Sequence, residues 1–436
     1  MPASKDQPQL SGIARRRAYR AKQLAKRSKS VSAKTLLELL PDSLLVKVSQ
    51  DTGVDRQVKH LSGRLMVLLL IYGILTSKDQ SLRSLENVYN GVAFEQFSGK
   101  GKHQTRHSSL ADRLAHIDLN FFEQLYTAFL ERVNRVYGSK LKKAFGWLHR
   151  FDSTMVRVSA NLAKIGMEVG AKFRQNDSYW KQIKFTIGLQ GLIPTSAQVF
   201  HEQIYLSEER ALLHAIEQAP IESQDIAVFD MGLKSRKTLQ SFTQRGLWFV
   251  TRFKGTRYEV VKTHKNIKGR THGDLKFISD QIVYLYQSGG APSNKEVEYR
   301  LITTECIQGD HAGKTYVFLT NILDLTAFEI ADIYLKRWDI ELFFRFLKQH
   351  VGLQHLIAHN HNAITALFYI RLLSATMLQL FFFLNERRDL GIAKMEFADQ
   401  LNWEIWVTMA ILKGADPKKI DPIGHTTKRL KPKNSS

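Results

Sequence analysis

Residues 225–253 read Asp225-Ile-Ala-Val-Phe-Asp230-Met-Gly-Leu-Lys-Ser-Arg-Lys-Thr-Leu-Gln-Ser-Phe-Thr-Gln-Arg-Gly-Leu-Trp-Phe-Val-Thr-Arg-Phe253. The short apolar run between two acids predicts a buried strand over 225–230, and Met231-Gly232 breaks it. A helix over 235–245 and a second strand over 247–253 follow. Upstream, strands are expected over 147–152, 156–160, 182–190 and 195–200, then a helix over 207–219. Strands followed by alternating helix and strand argue for a mixed sheet with helices on its faces, an α/β (α+β) arrangement. Downstream, 254–323 reads as β-rich, with runs over 258–261, 275–278, 281–286, 297–302 and 315–319. The earlier part, 36–140, carries helical periodicity over 36–48, 62–75, 81–88, 109–115 and 119–136.

Three carboxylates stand out. Asp230 ends a buried strand. Asp152 lies in Arg-Phe-Asp-Ser-Thr-Met-Val-Arg-Val, a strand leading to a polar turn. A carboxylate there is costly unless paired or bound to a metal, although Asp also favours caps and turns. The third, Glu341, lies in a helix that includes Tyr334, Arg337 and Lys348. In a helix these four fall at roughly 0°, −60°, −20° and −40°, one narrow stripe. Its neighbours Ile333, Leu335, Ile340, Leu342, Phe343, Phe344, Phe346 and Leu347 make the helix apolar on several faces, which predicts burial. An exposed Arg337–Glu341 pair is the plainer alternative. Taken together, the three acids fit a hard divalent cation bound through oxygen, typically Mg²⁺.

With Lys+Arg 63 against Asp+Glu 41, the 436-residue chain carries a formal charge of +22, which favours a polyanionic partner. A generic basic protein, or one that touches an acidic membrane, is the alternative. The single cysteine, Cys306, excludes an internal disulfide framework and a multi-cysteine zinc site and fits a reducing cytoplasm. No secretory signal is visible. Two apolar runs, 65–75 and 364–384, read as core helices. The first is too short to span a bilayer, and the second carries Arg371 and Gln379.

These motifs resemble the DDE transposases of bacterial insertion sequences, the family numbered four. Asp152-Ser-Thr matches the first-carboxylate motif. Asp230-Met-Gly-Leu, then Leu239 and Gly246-Leu-Trp-Phe-Val-Thr-Arg252, match the second. Leu319-Thr-Asn-Ile322 and Ile333–Lys348 match the third, with the Y-x2-R-x3-E-x6-K signature intact. The resemblance covers roughly 145–390. Met231 departs from it, standing where relatives often carry a charged residue.

The resemblance implies a ribonuclease-H-like catalytic core over 144–253 and 324–390, interrupted by a β-rich insertion over 254–323. The helical region over 36–143 reads as a domain that binds the element's ends, a simple helical cap on the catalytic core being the alternative. A basic flexible arm over 1–35 includes Arg15, Arg16 and Arg17, and 391–436 forms a C-terminal helical segment and basic tail. Asp152, Asp230 and Glu341 are the implied catalytic residues and ligands of two Mg²⁺ ions, with Mn²⁺ able to substitute. Tyr334 and Arg337 would contact a phosphate near the transposon end, and Lys348 the reacting strand. Trp338 would hold an unstacked base, with core packing the favoured alternative. Arg106, at a polar helix start, and Lys254, in a basic loop with Arg257, Lys262, Lys265, Lys268 and Arg270, are further DNA-contact candidates. The implied function is cut-and-paste transposition, in some members through a hairpin intermediate. Its partners would be double-stranded DNA with terminal inverted repeats and target DNA, the protein acting as a dimer on DNA in the bacterial cytoplasm at the nucleoid. A metal-dependent nuclease of the same fold and a catalytically silent DNA-binding relative are the competing functions.

Overall fold

The computed structural model describes residues 30–77, 80–142, 146–159, 165–168, 180–286, 295, 297–357, 360–416 and 420. Arg15, Arg16 and Arg17 lie outside them, as does most of the basic tail.

The mixed sheet is present and larger than the core expected of it. Its strands are β1 (Leu148–Ser159), β2 (Met167–Glu168), β3 (Trp180–Gln190), β4 (Ile193–Phe200), β5 (Ile226–Phe229), β6 (Trp248–Arg252), β7 (Tyr258–Thr263), β8 (Thr271–His272), β9 (Leu275–Leu285), β10 (Tyr299–Cys306) and β11 (Thr315–Thr320). The 11 strands run β2-β3-β1-β5-β6-β11-β10-β9-β7, with β4 on β3 and β8 on β9. β1 is antiparallel to β3, and β3 to β4, while β1, β5 and β6 are mutually parallel. The order β4-β3-β1-β5-β6, an antiparallel triple followed by two parallel strands, is the ribonuclease-H-like arrangement.

Two expectations change here. The polar stretch Ser153-Thr-Met155 does not turn; β1 runs straight through it, paired with Ile183–Ile187 of β3 in continuous register. Those ladder bonds outweigh the local preference of Ser and Thr for turns. The runs expected over 275–278 and 281–286 are likewise one strand, β9. The strands after residue 254 join the same sheet. β11 pairs with β6, so the insertion extends the core sheet edge to edge.

Thirteen helices are described. Seven precede β1: α1 (Ala33–Leu37), α2 (Asp42–Thr52), α3 (Gly63–Thr76), α4 (Leu82–Asn90), α5 (Val92–Ser98), α6 (His107–His116) and α7 (Leu119–Lys142). The helix expected over 36–48 is broken at Pro41, the N-cap of α2, because proline has no N–H to continue a helix. α5 was not foreseen. α8 (Glu208–Gln218) and α9 (Arg236–Gln244) flank β5 in sequence; α10 (Ala327–Leu335), α11 (Trp338–His350), α12 (His361–Leu384) and α13 (Leu390–Leu412) complete the chain.

α12 organises the helical side. It is long and apolar enough to cross a membrane by length and composition, but 78% of that span is buried inside the protein. It packs against α3, α6, α7, α11 and α13. One apolar core joins α1–α7, the inner face of β3 and β4, and α11–α13. The backbone N–H of Val31 and of Ala33 donate to Asn385 and Gln400, tying the first helix to the last.

Candidate active site

Strand register brings the first two carboxylates together. The parallel pairing of β1 with β5 ends at Phe151–Phe229, so Asp152 and Asp230 are the next residues on adjacent strands, which run roughly 4.8 Å apart. Phe151 and Phe229 are fully buried and set the two acids at the edge of an apolar layer. The Asp152 backbone stays in the ladder, and its carboxylate Oδ1 accepts from the Ser153 N–H at 2.8 Å.

Glu341 arrives from a different layer. The four signature residues do not share one helix. α10 ends at Leu335 and α11 begins at Trp338. Arg337 N–H bonds Tyr334 O, Asp339 N–H bonds Lys336 O and Ile340 N–H bonds Arg337 O, all three-residue spacings that tighten the backbone. No local residue demands the break. The two halves pack on different strands, α10 against β6 and β11, α11 against β1. Arg337 keeps right-handed helical angles at the joint, φ −57° and ψ −32°, so the stripe survives it. Burial holds for Ile333, Tyr334, Ile340, Phe343, Phe344, Phe346 and Leu347, but Leu335 and Leu342 are exposed.

The result is one network centred on Arg337. Its Nη2 donates to Glu341 Oε1 at 2.5 Å, and its Nε to the Tyr334 hydroxyl at 3.1 Å. The Tyr334 hydroxyl donates to Asp230 Oδ1 at 3.1 Å. Arg337 Nη1 lies 3.9 Å from Asp152 Oδ2. Its side chain is 12% exposed, so this is no solvent-facing pair. One guanidinium and one phenol therefore connect all three acids. Burial holds the Tyr334 phenol well above its ordinary value, so it remains a hydrogen-bond donor.

Electrostatics show that this is an incomplete solution. Burial lifts the Asp152 carboxyl from 3.8 to about 6; the Ser153 N–H and Arg337 offset this, and Glu208 and Glu341 add to it. More negative charge is gathered than one guanidinium compensates. The donors are all carboxylate oxygens, which suits a hard divalent cation. Among the described residues, however, no three His, Cys, Asp or Glu side chains stand close enough to enclose an ion in this arrangement. Arg337 occupies the space between them.

The other sequence-derived candidates lie on several elements. Trp338 is 51% exposed, which rules out the core packing favoured for it. Lys348 is half-buried two turns along α11 from Glu341. Lys254 is exposed just past β6, as are Arg257, Lys262, Lys265, Lys268 and Arg270 beside the sheet's β7 edge. Arg106 is exposed at the N-cap of α6, in the helical layer.

Sequence reasoning missed the supports. Arg150, buried on β1, donates from Nη1 to Asp339 Oδ2 at 2.6 Å, linking the strand of Asp152 to the helix of Glu341. The far end of α11 is held by Lys394 Nζ, which donates to His350 O at 2.6 Å and complements the helix dipole. Behind Asp230, Glu209 Oε1 accepts from the Ser235 N–H, and a Cβ on Gly232 would lie 2.5 Å from Glu208 Cγ. Glu208 is itself held by the fully buried Lys184. The one sequence signal was that Arg150 and Asp339 each stand two residues before a carboxylate.

The sequence profile of the transposase DDE domain matches residues 151–377. A predicted transposase of Sinorhizobium fredii is 29% identical over 160 residues, covering 37% of this chain and 43% of that one. A predicted insertion-sequence transposase of Synechocystis sp. is 27% identical over 250 residues, covering 56% and 63%. The chain thus spans less than two thirds of either relative. The piggyBac transposase synaptic complex with hairpin DNA aligns at a TM-score of 0.46 and 9% identity, over 88% of this chain and 82% of that one.

Proposed function

The chain belongs to the family of transposase DDE domains, and from that premise we propose that it is a DNA transposase. It would hydrolyse a phosphodiester at the ends of its element and then join the freed 3′-hydroxyl to target DNA. The observation that carries this reading is the convergence of Asp152, Asp230 and Glu341 from two parallel strands and a helix onto Arg337 and Tyr334.

Asp152 and Asp230 would hold one Mg²⁺, and Asp152 with Glu341 a second. Such a pair supplies stabilisation of the attacking and leaving oxygens of an in-line displacement. The side chains do the rest. Arg337 forks onto a DNA phosphate, since a guanidinium presents paired donors that match its oxygens. Tyr334 orients Arg337, and Lys348 neutralises charge on the reacting strand. Trp338, exposed beside the network, offers a face on which a base can stack. Lys254 and its basic neighbours, and Arg106 in the helical layer, contribute sequence-independent phosphate contacts. Pairing of two DNA ends calls for a dimer on DNA.

The test is a cleavage and strand-transfer assay with Mg²⁺ on DNA carrying the element's own ends, comparing the wild type with Glu341→Ala. Joined products that vanish in the variant are expected. Cutting that survives it removes Glu341 from the chemistry. Cutting without joining or end preference indicates a nuclease, and binding without cutting a silent relative.

A further inference from the structure

Arg337 stands among the three carboxylates that would hold a cation. It bonds Glu341, approaches Asp152, and reaches Asp230 through Tyr334. A guanidinium and a divalent cation compete for the same lone pairs, because both satisfy carboxylate charge. The same guanidinium, once released, is the group suited to a phosphodiester. We propose that Arg337 makes cation binding at the three carboxylates conditional on DNA. A backbone phosphate draws Arg337 off Glu341 and Asp152, and the carboxylates, freed to close on one another, then accept the cation. This rests on the transposase reading and specifies how that site is regulated. In the free protein Arg337 partly offsets the charge of the acids and keeps cation affinity low, so the chemistry is assembled only where DNA is seated. Linkage makes the effect reciprocal: the cation tightens DNA binding by the factor by which DNA tightens cation binding.

The geometry provides the means. Arg337 sits at the joint between α10 and α11 as the N-cap of α11, and its long side chain can change rotamer without breaking a backbone hydrogen bond. Tyr334 is buried against Phe318, ring centroids 5.2 Å apart, and stays behind as a fixed donor.

The experiment measures Mn²⁺ binding from the loss of the free-ion paramagnetic resonance signal, on the full chain. It is run on the wild type alone, on the wild type with a duplex of the element's end, and on Arg337→Gln alone and with that duplex. Duplex alone and Glu341→Gln are the controls. Breaking a charge-assisted hydrogen bond corresponds to about ten- to a hundredfold in affinity. The duplex should tighten Mn²⁺ on the wild type by that factor. Arg337→Gln alone should match the duplex-bound wild type, with the duplex adding little further. Equal wild-type affinity with and without duplex overturns the coupling, and that arm depends on no variant folding. Arg337→Gln binding no tighter than the free wild type overturns it as well. If Glu341→Gln changes Mn²⁺ binding in no state, the cation is held elsewhere, and the underlying reading fails rather than the coupling.

Discussion

Arg150→Met is expected to stabilise the protein while crippling it. The Arg150 side chain is 2% exposed, and its Nε and Nη2 find no partner among the described residues. Each buried unsatisfied donor costs roughly 1–3 kcal/mol. Against this stands one ion pair, whose other member, Asp339, is 44% exposed. Solvent screening limits that pair to about 1 kcal/mol. Methionine follows a similar path through the core without any donor. The net expectation is a gain of about 1–5 kcal/mol. Asp339→Asn should act in the opposite sense, costing up to about 1 kcal/mol, because it leaves the buried guanidinium with a weaker partner. Both variants unpin α11 from β1, and a shift of about 1 Å in Glu341 corresponds to losses on the order of a hundredfold in rate. Urea midpoints at unchanged m-value measure the first effect, and Mg²⁺-dependent end cleavage the second. A lower midpoint for Arg150→Met, or full cleavage by either variant, refutes the reasoning.

The remaining predictions concern charge, space and DNA. Asp152→Asn should raise stability in the absence of divalent cations above pH 6. The wild-type carboxyl, lifted from 3.8 to about 6, binds protons more tightly folded than unfolded, so its penalty is absent below 3.8, grows up to about 6 and is complete above it. That difference is roughly 3 kcal/mol, or about 1–2 after allowing for partial exposure; a gain that persists unchanged at pH 3.5 would contradict it. Gly188→Ala should cost about 1–3 kcal/mol, because the added Cβ would lie 2.5 Å from the Phe151 ring, and it should depress cleavage by moving Asp152. A melting temperature equal to wild type counts against this. Lys254→Ala should weaken duplex binding uniformly across sequences and reduce the salt slope by about one. Trp338→Ala should instead weaken binding to ends with an unpaired terminal base, leaving the salt slope unchanged. Filter-binding titrations at several salt concentrations separate the two.

Much of this protein is legible in its residues because the relevant signals are local. The apolar run 226–229 between acids, the helix over 236–244 and the signature spacing from Tyr334 to Lys348 each depend on nearest neighbours and on periodicity. Asp230 is legible the same way, as a carboxylate at a strand end, and Glu341 through the signature spacing. Where local preference and tertiary contacts disagreed, the contacts prevailed. Ser153-Thr-Met155 became strand because β3 offered a full ladder, and the signature helix broke at Lys336–Arg337 because its halves pack on different strands.

Sequence by itself therefore determined the mixed sheet, the motifs that single out Asp152, Asp230 and Glu341, and the basic character of the chain. Only the tertiary structure decided which groups face each other. The parallel register sets Asp152 beside Asp230, α11 docks on β1, and Arg337 bonds Glu341 and approaches Asp152. The pairing of Arg150 with Asp339 spans 189 residues of chain. No periodicity encodes such a contact. It exists because burying a guanidinium requires a nearby acceptor, and the fold alone determines which acceptor is near.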